Sequence, residues 1–281
     1  MNKAELNYFY NSLASVLNAS GKAARRLVHQ FNTEDLDFFT GYFDNLPLLD
    51  LDTETTINEG IEGEWGIVYT DRYMPFAYKV LFTEAIDRLR YLKALFKEVI
   101  IQTLLQSDSR YGDHVCTLYG LYRTHEGAGL LKMERLEMPM KQIIEAGPPA
   151  PGRAAFLLTT LIRMFEILIH FHGKYKFQHN DLHAGNIMLI GPVLKFIDFG
   201  NSSAVIQRVR LLDTSDAGID DFNAFFDYPP VHVPAAVVAL FEELAALPER
   251  EPYETFLEKL IAARMAISPS RRRTTRKLKL S

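Results

Sequence analysis

Two short stretches hold residue types that can do polar chemistry at a useful spacing. In His179-Asn180-Asp181-Leu182-His183-Ala184-Gly185-Asn186, an aspartate and an asparagine stand five positions apart, just before the apolar run IMLI. A loop of that kind entering a buried strand can aim a carboxylate at a hydroxyl, orienting it and accepting its proton, and an amide oxygen at a metal ion. In Lys195-Phe196-Ile197-Asp198-Phe199-Gly200, an apolar strand ends in an acid and then in a glycine that can turn sharply. Either stretch alone also reads as an ordinary polar loop or turn. Seventeen residues separate Asp181 from Asp198, filled by a strand, a Gly-Pro turn and a second strand. That hairpin would return the second acid to the side of the first.

The elements that must position these groups are legible at coarse grain. Residues 1 to about 49 have helical, amphipathic spacing with aromatic clusters at Tyr8-Phe9-Tyr10 and around Phe38–Phe43, and read as a helical appendage without chemistry of its own. Glycines at 60, 63 and 66 precede two β-rich runs, GIVYT and PFAYKV, taken as a hairpin with a glycine-rich tip. A Gly- and Pro-free helical segment spans 84–106, followed by strand-like VCTLYGLY and GLLKMERL. Beyond Pro139 the pattern predicts a helix over 153–172, strands at IMLI and VLKFI, and helices near 219–227 and 234–264. The expected units are a helical extension at 1–56, a strand-rich part at 57–136, a helical part at 137–267 and a tail at 268–281.

The acid-bearing loop and the strand-end acid resemble the catalytic loop and Asp-Phe-Gly element of the eukaryotic-type protein kinase superfamily. The resemblance extends upstream. Phe76-Ala77-Tyr78-Lys79 is similar to the family's Val-Ala-Ile-Lys strand, and Glu98 stands nineteen residues on in the long helix. Gly60, Gly63, Gly66 and Val68 resemble the loop that covers the nucleotide, although the family's first glycine would fall at Ile61. Met133-Glu134-Arg135-Leu136 resembles the hinge that meets adenine through the main chain, with Met133 as gatekeeper. These parts occur in family order across about residues 57–227. They imply an α+β, bilobed protein-kinase-like fold with a trimmed second lobe, and an ATP- and Mg²⁺-dependent phosphotransferase. By that analogy Lys79, paired with Glu98, binds the α- and β-phosphates, and Asp198 and Asn186 hold Mg²⁺. Asp181 orients the acceptor hydroxyl, while Val68, Ala77 and Met188 sandwich adenine. A Ser/Thr protein is the first acceptor the resemblance suggests, with a small-molecule kinase or a non-catalytic scaffold as alternatives.

Departures from the family pattern carry information. His183 occupies the place where protein-directed members usually have lysine, so that Asp-Leu-His-x-x-Asn resembles aminoglycoside and choline phosphotransferases, haspin-like kinases and compact kinases of large DNA viruses. Asn180 replaces an arginine that in many relatives pairs with an activation-segment phosphate. The short segment after Gly200 still offers Ser202, Ser203, Thr214 and Ser215 as acceptors, with Arg208 and Arg210 beside them in a stretch expected to be mobile. Constitutive activity is therefore expected. Asp220 or Asp221 resembles the aspartate that anchors the catalytic loop.

Composition sets the outer limits. With 281 residues, 48% hydrophobic and 23% charged, the chain can bury a full core and is neither disordered nor fibrous as a whole. The single Cys116 excludes an internal disulfide and reads as core, and His170 and His172 lack a third ligand in pattern. The apolar stretch 156–171 carries Arg163 and Glu166, so no membrane span is expected. An intracellular setting follows, in cytoplasm, nucleus or virion. Net charge is −4, yet residues 271–279 hold six Lys or Arg and no acid, leaving −10 elsewhere. That run is a candidate contact for nucleic acid or another polyanion, or a nuclear address. Trp65 is expected to cap the strand-rich part.

Overall fold

The computed structural model describes residues 1–51, 60–62, 66–70, 73–82, 87–146, 152–211, 226, 230, 233–247 and 252–267. Gly63, Trp65, Thr214, Ser215, Asp220, Asp221, nearly all of the helix expected at 219–227 and the basic tail lie outside them. The architecture is mixed α+β with antiparallel sheets.

Three helices open the chain: α1 (Lys3–Val16), α2 (Gly21–His29) and α3 (Leu36–Asp44). Their starts are written locally. The side chains of Asn2, Ser20 and Asp35 accept backbone N–H groups of the first turns, and Glu5 returns a bond to the Asn2 N–H to complete a capping box. These helices are no free-standing appendage. Phe9, Tyr10, Leu13, Phe31, Phe39 and Phe43 are buried in the same hydrophobic core as the rest of the molecule. They pack on α4 (Arg88–Gln106), where Phe39 and Tyr42 each meet the Phe96 ring at 6.2 Å and Lys93 pairs with Glu34 at 2.8 Å. Every residue of α4 from Leu95 to Leu105 is buried, as expected of a helix covered on all faces.

A five-stranded sheet of order β1-β2-β3-β5-β4 lies against α4: β1 (Ile61–Glu62), β2 (Gly66–Thr70), β3 (Phe76–Leu81), β4 (Leu118–Arg123) and β5 (Gly129–Glu134). The expected pair GIVYT/PFAYKV forms β2 and β3, but of the described glycines Gly60 precedes β1 and Gly66 opens β2, so neither lies at the β2–β3 turn. Gly66 has its own structural cause: a Cβ there would lie 2.2 Å from the Val80 carbonyl oxygen, so only glycine lets the two backbones approach.

A second sheet joins β6 (Met138–Pro139), β7 (Ile187–Ile190) and β8 (Val193–Phe196), with the short α5 (Met140–Ala146) following β6. The hairpin β9 (Ala204–Ile206) and β10 (Val209–Leu211) was not foreseen. Its turn places Gln207 and Arg208 at φ 47° and 72°, and Arg208 and Arg210 therefore belong to ordered structure. The central helix α6 (Arg153–Tyr175) packs on α8 (Tyr253–Ile267), and α7 (Ala235–Ala245) precedes α8. The single helix expected over 234–264 is thus two. Among the described residues, α6 alone has the length and apolarity of a membrane span. Its Leu157, Leu161, Phe165 and Leu168 are core, while Arg163 and Glu166 pair on its outer side at 3.1 Å.

One buried polar knot ties distant parts together. The Asp108 carboxylate, fully enclosed, accepts from His170 Nε2 at 3.0 Å, Lys174 Nζ at 2.9 Å and the Tyr175 hydroxyl at 2.7 Å. Burial opposes its charge, and those donors override it, so the carboxyl sits well below the usual range. Lys174 also reaches Glu5 in α1 at 2.9 Å. His170 thereby has a structural partner, and His172 points its Nδ1 at the Phe177 carbonyl.

Candidate functional site

The site is assembled from β3, α4 and the two loops flanking the β7–β8 hairpin. In β3, Ala77 and Lys79 share a face, and the antiparallel registers Val68↔Lys79 and Ala77↔Met133 place Val68 and Met133 on that same face. Lys79 is buried. Its ammonium lies 2.9 Å from Glu98 Oε1 on α4 and 2.8 Å from Asp198 Oδ1. Burial would push this lysine down in pKa, but Glu98 and Asp198 more than offset it and hold it above the ordinary lysine value. The two acids differ. Burial raises Glu98 against the pull of Lys79; Asp198, whose side chain is 32% exposed, is brought below its usual range because Lys79 outweighs its own burial.

The strand–turn–strand expected between Asp181 and Asp198 forms as β7 paired with β8. Ile197 N–H donates to the Asn186 carbonyl at 3.1 Å, closing the hairpin directly before Asp198. Asn186 is buried and donates from Nδ2 to the Asp181 carbonyl at 2.9 Å and to Asp181 Oδ2 at 3.3 Å. This turns its Oδ1 the other way. An amide oxygen such as that of Asn186 and a carboxylate such as that of Asp198 are by chemistry hard oxygen donors of the type Mg²⁺ takes. Among the described residues no cluster of three or more His, Cys, Asp or Glu is placed to hold a metal, so any cation here needs its remaining ligands from substrate or water.

Two of the six non-glycine residues with positive φ among the described residues lie in these loops, Asn180 at 61° and Asp198 at 58°. Asn180 Nδ2 ties the loop to the Asn201 carbonyl at 3.0 Å. His179 is wholly buried, donates from Nε2 to the Ile197 carbonyl at 3.0 Å, and has Nδ1 enclosed without a hydrogen-bond partner. Burial drives its pKa down to about 4. The histidine stood in the motif, but only the structure shows it gripping the residue before Asp198.

Neither a protein-family model nor a curated protein matches this chain.

Other expected site residues are placed as follows. Gly60 is exposed at the entry to β1, and Leu136 is half-buried after β5. Met188 is half-buried in β7, paired to Pro139 and Lys195, and no strand pairing links it to the Val68–Ala77 face. Glu134 fits the hinge expectation less well. Its N–H donates to the Thr117 carbonyl at 2.8 Å, its carbonyl faces the Cys116 thiol at 3.6 Å, and its carboxylate binds Thr117 and, at 2.7 Å, Lys195. Its main-chain donor is therefore engaged within the protein. Ser202 and Ser203 are also corrected: both are buried, and the Ser202 hydroxyl donates to the His179 carbonyl at 3.0 Å, so neither is open to modification. Cys116 is core, its thiol pushed up to about 12 by burial.

Proposed function

We propose that the chain is an ATP-dependent phosphotransferase with a bilobed kinase-like fold, carrying the γ-phosphate to a hydroxyl, with Ser or Thr of a protein as the first acceptor to test. The observation that carries this reading is the bridging of Lys79 between Glu98 and Asp198, opposite a loop in which Asn186 braces Asp181. A buried ammonium held by two acids of different element origin provides a fixed positive charge for polyphosphate. Mg²⁺–ATP supplies the phosphoryl group and much of the charge neutralisation when bound. The protein's part is positioning. Lys79, fixed by Glu98, contacts the α- and β-phosphates; Asp198 and the Asn186 amide oxygen hold the metal; Asp181 orients the acceptor and takes its proton.

The test is radiolabelled ATP with Mg²⁺ and a panel of casein, histone and small alcohols. Asp198→Asn is expected to abolish Mg²⁺-dependent nucleotide binding, whereas Asp181→Asn keeps binding and loses turnover. Equal loss of nucleotide affinity in both, by calorimetry, removes this division of roles. Phosphorylation of small alcohols with casein and histone untouched favours a small-molecule kinase instead.

A further inference from the structure

His183, two residues after Asp181, has no task yet in the phosphotransfer reading, and its setting is specific. The Gly185 N–H donates to His183 Nδ1 at 3.0 Å. A ring nitrogen that accepts a hydrogen bond carries no proton, so the seated imidazole is the neutral tautomer with its hydrogen on Nε2. That Nε2 lies 3.9 Å from Asp181 Oδ1, too far for a direct hydrogen bond. Residue 185 has room for the ring only as glycine: a Cβ would lie 2.7 Å from His183 Cε1 and 2.9 Å from Nδ1. Gly185 has no positive φ to explain it. The ring is 47% exposed and the Asp181 side chain 26%, so both face an approachable space.

We propose that His183 is a second handle on the acceptor oxygen and selects hydroxyls over amines, an inference that rests on the phosphotransfer reading. An oxygen placed about 2.8 Å from both Nε2 and Oδ1 spans the gap with an angle of roughly 90°. It then donates its hydrogen to Asp181 and accepts the hydrogen of Nε2. A hydroxyl oxygen has a second lone pair left to face phosphorus. In the step, that pair forms the new O–P bond, the bond from phosphorus to the bridging oxygen breaks with its electrons leaving on the nucleoside diphosphate, and the hydroxyl proton passes to Asp181. An ammonium has no lone pair to accept from Nε2. A neutral amine has one, which Nε2–H would occupy in place of phosphorus. The arrangement therefore fits an acceptor that donates to Asp181, accepts from Nε2 and still keeps a lone pair for phosphorus.

The experiment uses the full chain with Mg²⁺–ATP, with casein and ethanolamine as probes, and compares wild type with His183→Ala, Gly185→Ala and the double variant. Each single change is expected to lower kcat about 10- to 100-fold, the loss of one oriented donor, while KM for ATP and Mg²⁺–ATP affinity stay within twofold. The double variant should fall no further, because Gly185→Ala acts by evicting the same ring. Wild-type product on ethanolamine should be the acid-stable O-phosphate alone, without N-phosphate. Nitrogen-15 spectra of histidine-labelled protein should show His183 with unprotonated Nδ1 in wild type, and a mixture of tautomers in Gly185→Ala. A kcat within twofold of wild type in His183→Ala, multiplicative losses in the double variant, N-phosphate from wild type, or a protonated Nδ1 each overturn this proposal and leave the phosphotransfer reading standing. A wild-type chain that binds Mg²⁺–ATP yet phosphorylates no acceptor removes both.

Discussion

Acidification should loosen this protein first at His179. Its Nε2–H is committed to the Ile197 carbonyl, and its Nδ1 is buried with no acceptor nearby, so a proton added there gains no partner. The ring also lies among Phe177, Phe196 and Phe199, with centroids 6.2, 6.4 and 5.6 Å away. A folded value of about 4 against about 6.5 in the unfolded chain means the unfolded state binds the extra proton first. Stability is then full above pH 6.5 and declines as pH falls towards 4, by about 3 kcal/mol in total. Lowered carboxyls such as Asp108 and Asp198 act in a lower window, from about pH 4 downwards, where the unfolded chain protonates them. His114, also lowered by burial, overlaps the upper window and must be subtracted. The assay is urea unfolding at pH 7, 6, 5 and 4.5 for wild type and for His179→Gln, which keeps a donor but does not titrate. The variant should be less stable at pH 7 and lose about 2 kcal/mol less between pH 7 and 4.5. If both chains show the same pH slope over this range, the buried neutral imidazole is not what makes the protein acid-sensitive.

Three other outcomes are expected. Asp108→Ala should cost about 3–5 kcal/mol in denaturant unfolding, because Lys174, His170 and Tyr175 lose a shared buried acceptor; a cost below 1 kcal/mol would show that the knot is easily replaced by water. Thorough phosphatase treatment should leave the phosphotransfer rate unchanged within twofold, and Ser202→Glu should lower the melting temperature rather than mimic activation, since that hydroxyl is enclosed against the His179 carbonyl. Deleting residues 268–281 should remove salt-sensitive binding to a polyanion such as heparin while sparing phosphotransfer; a deletion that halts catalysis would place the tail in the working structure.

What could be read beforehand followed local rules. The β-rich runs GIVYT and PFAYKV, the turn after IMLI and the helical spacing of the first 49 residues depend on neighbours within a few positions, and β2, β3, β7, β8 and the first helices came out accordingly. The pairing of Lys79 with Glu98 was legible only through motif order, and the contact of Lys79 with Asp198 was not foreseen, because no periodicity links a strand to an acid 119 residues later. Partners with no pattern at all stayed hidden. Nothing around Tyr10 or Phe39 marks their aromatic faces as core rather than the flank of an appendage. The Asp108–Lys174 contact joins residues 66 apart, and Ser202 looks like any loop serine until the His179 carbonyl is seen above it. The break between α7 and α8 was legible and was overrun by the span 234–264: Pro248-Glu249-Arg250-Glu251-Pro252 carries two prolines and three charges, a helix-stopping signal.

The reach of the first helix across the chain has a consequence for how the protein comes to be folded. Tyr10 bonds Gln207, and Glu5 bonds Lys174, across 197 and 169 residues. Contacts so remote in sequence close large loops, and chains dominated by them fold slowly. During synthesis at about 5–20 residues per second, α1 would leave the ribosome roughly 10–40 s before the strand turn it must meet. In that interval Phe9, Tyr10 and Leu13 can already be covered by α2 and α4, and only the polar ties to Gln207 and Lys174 wait for the later chain. The seam between α1 and the later part of the chain is therefore closed late, by two polar bonds laid over a hydrophobic contact that α2 and α4 have already made.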